Sequence, residues 1–277
     1  MQYKIVADSS ANLLSEADLA SVPLKIVTDQ AEYVDDANLD IAAMLSDLAA
    51  YKGRSGTSCP NVADWLEAFG DAEHVFVSTI TSGLSGSFNA ALQAKQEYEE
   101  AHPQRHVCCL DSLSTGPEMV LTVEKLRHLI AQQLPFDQVE AEIRAYMGTT
   151  HLIFMLESLD NLSKNGRVSP LVAKAAGLLG IRVVGKASDV GTLQPTSKPR
   201  GEKKALETML RDMLELGYSG GKVRIAHCFN DSAADALRKA IIAQFPAADV
   251  TVIPCRGLCS FYAEQGGLLV GFEGSQK

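Results

Sequence analysis

Basic residues are scarce in this 277-residue chain: 25 Lys and Arg stand against 34 Asp and Glu, for a formal charge of -9. No basic run offsets that balance, so the electrostatic footprint of a nucleic-acid partner is missing. No apolar stretch is long enough to span a bilayer, and membrane insertion is not expected. The chain runs directly into Tyr3-Lys4-Ile5-Val6-Ala7-Asp8 without a signal-peptide pattern, so a cytoplasmic location is expected. The six cysteines form no zinc pattern. Cys108 and Cys109 are adjacent, and Cys255 and Cys259 lie four apart with no matching second pair. They read as buried free thiols acting as small hydrophobes. Histidines are scattered, with no paired spacing on a helix, so neither metal nor cofactor is expected. Internal repeats, low-complexity segments and long linkers are absent too. A hydrophobic fraction of 46% and a charged fraction of 21% are those of a globular chain, long enough for one large domain or two ordinary ones.

Small hydroxylic and glycine residues are concentrated in Thr79-Ile80-Thr81-Ser82-Gly83-Leu84-Ser85-Gly86-Ser87-Phe88-Asn89-Ala90. His74 to Ser78 before it reads as a buried strand, and Phe88, Ala91 and Leu92 begin a helical pattern. A strand-to-helix loop of this kind aims N–H groups and hydroxyls at one point near a helix N-terminus, a ready site for an anion.

Two other strand ends have similar chemistry. Asp8-Ser9-Ser10 follows the first strand, and Asp111-Ser112 follows the strand His106 to Leu110. In a parallel sheet such ends share one edge, where open α/β sheets take their ligands. Val22 to Val27 reads as a second strand, and Asn38 as the cap of a helix from Leu39 to about Tyr51. Thr57-Ser58-Cys59-Pro60 reads as a hydroxyl-rich loop, with Asn61 capping the helix after it. Near residue 150 the texture changes to an α+β pattern. It comprises a strand at His151 to Met155, a short helix at Leu159 to Leu162, a turn at Lys164 to Val168, and a small-residue helix at Pro170 to Leu179. A hairpin turns at Asp189 to Thr192, two helices cover Glu202 to Leu216 and Asp231 to Phe245, and the last strand is Leu268 to Phe272. The expected fold is α/β in two domains. Residues 1–149 form a mostly parallel sheet with helices on both faces, and residues 150–277 an α+β unit with a mixed sheet that closes a cleft.

The motifs in this order resemble the DegV family of fatty-acid-binding proteins, including the FakB type. Asp8-Ser9-Ser10-Ala11-Asn12-Leu13 matches its opening Asp-Ser-Ser/Thr-Ala-Asp-Leu, and Thr57-Ser58-Cys59-Pro60-Asn61 its Thr-Ser-Gln-Pro-Ser. Ile80 to Ala91 matches Ile-Ser-Ser-x-Leu-Ser-Gly-Thr-Tyr-x-Ser-Ala. Asp111-Ser112 with Gly116 matches its Asp-Ser before a Gly-rich helix start, Leu159 to Val168 its Leu-x-x-Leu-x-x-Gly-Gly-Arg-Ile, and Lys186 and Lys198-Pro199-Arg200 its later basic residues. The resemblance implies a long-chain fatty acid held between two domains, its carboxylate on Thr57, Ser58 and Ser85 with Ser82 and Gly86 nearby. It also implies a fatty acid kinase as protein partner, docking near Arg167, Arg200 and Lys203, and no chemistry by the binding protein itself. Three departures from the pattern stand out: Cys59 replaces glutamine, Asn165 replaces a glycine, and Tyr262 to Gly266 stand where His-Thr-Gly-Pro-Gly is usual. Tyr262 is the nearest substitute for that histidine.

Methylenes are worth about 0.8 kcal/mol each on burial, so about 15 of them give roughly 12 kcal/mol gross before ordering costs. An apolar tunnel would hold the chain, and Ile80, Phe88, Phe154, Met155, Leu159, Leu178 and Ile181 are candidates for its lining. Two alternatives stay open. Gly83-Leu84-Ser85-Gly86-Ser87 nearly matches the nucleophile elbow of a serine acyl hydrolase, with His227 as a base in chain order. The chain could also be a family member that has lost or changed its ligand.

Overall fold

β-branched runs followed by small-residue turns and amphipathic stretches build the first half. The computed structural model describes residues 3–174 and 180–277. The chain opens with β1 (Tyr3–Asp8), a single 3-10 turn at Ser9–Ala11, β2 (Leu19–Val22), β3 (Lys25–Val27), β4 (Glu32–Val34), α1 (Ile41–Ala50) and β5 (Gly56–Ser58). It continues through α2 (Val62–Phe69), β6 (His74–Thr79), α3 (Ser87–Ala101), β7 (His106–Asp111), α4 (Pro117–Ala131) and α5 (Phe136–Met147). Strands β2-β1-β6-β7 form an all-parallel sheet, and β4-β3-β5 a small antiparallel one. Neighbouring residues of β1 point to opposite faces, as pleating requires. Ile5 packs with Phe76, Met119, Val123 and Ile143, and Val6 with Trp65, Phe69, Val75 and Ala91. Helices therefore cover both faces.

Two elements here differ from expectation. The strand expected over Val22 to Val27 is two strands in two sheets, divided at Pro23, which has no N–H to continue a ladder. The helix after it is capped by Asp40, whose side chain accepts from Ala43 N, and not by Asn38. Asn61 does cap α2, in a reciprocal box with Asp64.

The second half carries β8 (Thr150–Leu156), α6 (Asp160–Lys164), α7 (Pro170–Lys174), β9 (Val183–Ala187), β10 (Leu193–Ser197) and α8 (Glu202–Glu215). It ends with β11 (Lys222–His227), α9 (Asp231–Gln244), β12 (Asp249–Pro254), α10 (Gly257–Ala263) and β13 (Leu268–Glu273). The order β10-β9-β8-β13-β11-β12 is mixed: only β11 and β12 run parallel, and the last strand inserts between β8 and β11. One face buries Ile153, Met155, Val270 and Phe272 with residues of α8 and α9. The other presents Leu152, Phe154, Leu156 and Leu269.

Helix α4 joins the halves. A Cβ at Gly271 of β13 would lie 2.4 Å from Glu118 N and 2.5 Å from Pro117 C, so only glycine lets the helix start sit on the strand. Glu124 of α4 accepts from Arg224 (Nε 2.7 Å, Nη2 2.8 Å) and Lys222 (3.0 Å), and Arg224 also reaches Asp249. In the other direction, α10 puts Phe261 against Ile26 of β3 and Met44 of α1.

Candidate headgroup site and apolar cavity

The loop after β6 is held by carboxylates at the ends of the neighbouring strands. Asp8, fully buried, accepts from Ile80 N (2.9 Å), Ser87 Oγ (2.6 Å), Ser10 N (3.2 Å) and Ser10 Oγ (2.5 Å). Burial raises the pKa of its carboxyl, and the four donors pull the other way. Asp111 accepts from Ser82 N and Leu113 N, each at 3.1 Å, and Thr81 N donates to Ser114 O at 2.8 Å. These bonds fix the loop with Ser85 on its inner side. Ser85 Oγ accepts from Ser87 N at 3.2 Å, which leaves its own proton to donate.

Two further elements bring a second pair of hydroxyls. Thr57 lies on β5, and Tyr262 on α10. Their oxygens, Thr57 Oγ1 and Tyr262 OH, are 2.7 Å apart. Helix α10 is placed by Asp35, a buried carboxylate that accepts from Gly257 N (2.8 Å) and Leu258 N (2.9 Å), and by Asn12 Oδ1, which accepts from Arg256 N (2.8 Å). Burial raises the pKa of the Tyr262 phenol; its bond to Thr57 and the charge of Arg167 act in the opposite sense.

Behind these groups lies an apolar cleft of about 810 Å³, a volume that includes the open solvent at its mouth. Its apolar wall includes Leu24, Ile80, Leu152, Phe154, Leu156, Leu162, Leu193, Leu258 and Leu269. Its polar lining is Thr57, Thr81, Ser85, Ser114, Thr115, Thr192, Tyr262 and one charged group, Arg167. Ser114 is buried, and its hydroxyl has no hydrogen-bond partner among the described residues. Cys259 also lines the cavity, but burial pushes its thiol up to about 12, so it is inert wall.

The expected site residues divide. Thr57, Ser85 and Tyr262 come together on the cavity. Ser58, Ser82 and Gly86 are exposed and do not line it. Ser58 alternates away from Thr57 along β5, a segment that is a strand where a loop was expected. Ser82 spends its N–H on Asp111, and Gly86 is the N-cap residue of α3. Arg167, expected on an exposed docking face, is half-buried in the cavity wall. Its Nε donates to Leu84 O at 3.2 Å and Nη1 to Asn165 O at 2.5 Å. Arg200 and Lys203 are exposed beside the start of α8.

Of the apolar candidates, Ile80 and Phe154 line the cavity. Met155 faces the opposite side of the sheet, and Phe88 packs with Trp65 and Phe69. Leu159 is buried beside the wall, Ile181 does not line it, and Leu178 lies outside the described residues. Ser114, Thr115 and Thr192 were not anticipated as lining. The only sequence signal for the first two was their place after the Asp111-Ser112 strand end.

No histidine or carboxylate is among the described lining residues. His227 accepts from Asn230 N at 3.3 Å and faces Asp231 at 3.5 Å, so it does not act on Ser85.

A family model described as "Uncharacterised protein, DegV family" matches residues 2–273. A DegV domain-containing protein of Streptococcus pneumoniae is 44% identical over 99% of both chains. A crystal structure of a DegV family protein from Eubacterium eligens loaded with heptadecanoic acid is 44% identical, with a TM-score of 0.96 over 99% of this chain and 100% of that one. The Streptococcus pneumoniae Fatty Acid Kinase (Fak) B3 protein loaded with linoleic acid is 43% identical, with a TM-score of 0.97 over the same shares. The mixed α/β architecture, a parallel N-terminal sheet followed by a mixed C-terminal one, is thus shared with proteins that hold fatty acids. The chain belongs to the DegV family.

Proposed function

We propose that this protein binds one long-chain fatty acid in the cavity between the two sheets and presents its carboxylate to a fatty acid kinase. The observation that carries the reading is a mostly apolar cavity lined at the same time by hydroxyls and a guanidinium. Thr57, Tyr262, Ser85 and Arg167 belong to a wall that is otherwise largely apolar. An ionised carboxylate leaves water only where donors replace its hydration. Hydroxyls and a guanidinium are such donors, and bonds to a charged acceptor are roughly twice as strong as neutral ones. Two close relatives hold fatty acids, and one carries the name of a fatty acid kinase component, which supports both ligand and partner.

Residues 1–149 and 150–277 serve in this reading as two lobes, with Arg200 and Lys203 on the docking face. The carrier does no chemistry on its cargo. A hydroxyl at position 85 with no base beside it supports binding over ester hydrolysis.

The test is a titration of the purified protein with hexadecanoate and with methyl hexadecanoate. The acid is expected to bind at least tenfold more tightly, because the ester lacks the charge that the donors meet. Equal affinities would overturn the headgroup assignment.

A further inference from the structure

A second group of hydroxyls reaches the cavity where the turn between β7 and α4 meets the loop after β6. Thr81 N donates to Ser114 O at 2.8 Å, which sets Thr81 beside Ser114 and Thr115. All three residues line the cavity. Of the buried side-chain polar atoms left without a hydrogen-bond partner among the described residues, only the Ser114 hydroxyl belongs to this lining. Thr81, 1% exposed, accepts from Gly83 N at 3.0 Å and has no acceptor for its own proton among the described residues. Thr115 is half-buried, and its Oγ1 has only the Cys259 thiol, at 3.8 Å.

These hydroxyls are set apart from the proposed headgroup anchor. Thr57 meets Tyr262 on α10, whereas Thr115 meets Cys259, three residues earlier. Three residues along a helix rise about 4.5 Å, and side chains at that spacing share a face. The turn that holds Thr115 also rests on apolar wall: a Cβ at Gly116 would lie 3.3 Å from Leu269 Cδ1 and 3.6 Å from Cys259 Sγ.

We infer that Thr81, Ser114 and Thr115 form a second polar subsite, which selects long-chain acids bearing a hydroxyl or oxo group on the chain. The inference rests on the proposed carrier function and names the cargo of the same cavity. Methylenes laid against a buried hydroxyl leave it unpaired, the unfavourable state for a polar group taken out of water. An oxygen on the chain gives that hydroxyl a partner and finds one for itself. Ser114 can donate to it or accept from it, and Thr81 has a proton to donate, so a hydroxyl and a carbonyl are both accommodated. A wholly apolar lining would do the reverse. It would strip the oxygen of water and replace none of its bonds, so the plain acid would bind more tightly.

The test is a titration of the full chain with octadecanoate and with a positional series of monohydroxylated octadecanoates, repeated on Ser114→Ala and Thr115→Val. The Ser114 hydroxyl makes no hydrogen bond and valine keeps the shape of threonine, so both variants are expected to fold, as circular dichroism would verify. In the parent, at least one hydroxylated isomer is expected to bind about tenfold more tightly than octadecanoate, the effect of one buried hydrogen bond. Ser114→Ala is expected to bring that ratio to about one, and Thr115→Val to lower it. No isomer bound more tightly than octadecanoate by the parent, or a preference that survives both substitutions, would overturn the inference while leaving the carrier function standing. Failure of the parent to bind any of these acids would overturn both.

Discussion

Thr57 Oγ1 and Tyr262 OH meet at 2.7 Å, joining residues 205 positions apart in sequence. The bond ties a strand of the small antiparallel sheet to the helix just before the last strand of the molecule. It also involves Tyr262, the residue read from the sequence as the nearest substitute for the histidine that the family resemblance implies. A phenol can donate to Thr57, which then turns its own proton outward, so in the proposed carrier function the pair would act as one headgroup anchor.

Tyr262→Phe and Thr57→Val are therefore expected to be coupled. Each should weaken hexadecanoate binding about ten- to a hundredfold, the cost of one lost hydrogen bond to a charged group, about 1.5–3 kcal/mol. The double variant should lose little more than either single one, because the two act through the same contact. Titration calorimetry of the three variants checks this. Fully additive losses would mean that the two hydroxyls serve separate roles.

Ser85→Ala is expected to reduce hexadecanoate affinity about tenfold and leave the thermal midpoint nearly unchanged. The side chain's one internal bond is to Ser87 N, at the start of a helix that Asp8 already secures through Ser87 Oγ. A spectrophotometric assay with p-nitrophenyl esters should show no turnover that depends on Ser85. Turnover lost in the variant would instead make Ser85 a nucleophile.

Much of this arrangement was legible in the sequence, and the failures have physical causes. The parallel strands were readable because buried β-branched runs end in small, polar turns, and Asn61 announced the helix it caps. Arg167 was misread because nothing local marks a cation that will be turned inward by carbonyls at Leu84 and Asn165. Helix α10 escaped notice altogether. Its sequence, Gly257-Leu258-Cys259-Ser260-Phe261-Tyr262-Ala263, is buried on nearly every side and has no polar face to set a period. What starts the helix is Asp35, more than two hundred positions away. Tyr262 could be picked out by counting from the chain's last strand, but its partner could not.

Acid should loosen the joint between the halves. Glu124 is half-buried, which alone would raise its pKa, but hydrogen bonds from Arg224 and Lys222 outweigh that and hold it low. Asp249 is held low by Arg224. A carboxyl with a lower pKa in the folded than in the unfolded state adds stability that is fully present above its unfolded value. That stability drains away as pH falls through the folded value. The parent should therefore lose stability below about pH 4.5. Glu124→Gln should be about 1–3 kcal/mol less stable than the parent at pH 7, with the gap closing toward pH 3. Urea unfolding at a series of pH values checks this; a gap that is constant with pH would remove Glu124 from the joint.

Arg200→Glu with Lys203→Glu is expected to abolish capture of a fatty acid kinase by the loaded protein and leave hexadecanoate affinity unchanged. Both side chains are exposed, and neither lines the cavity. A pull-down and a titration on the same preparation check the two halves of this expectation. Undiminished capture would move the docking surface elsewhere.

Native mass spectrometry of the freshly purified protein, followed by solvent extraction of the same sample, tests the central claim most directly. The account predicts a complex heavier than the polypeptide by one long-chain fatty acid, and recovery of that acid on extraction. A bare polypeptide mass that stays bare after incubation with hexadecanoate would contradict it.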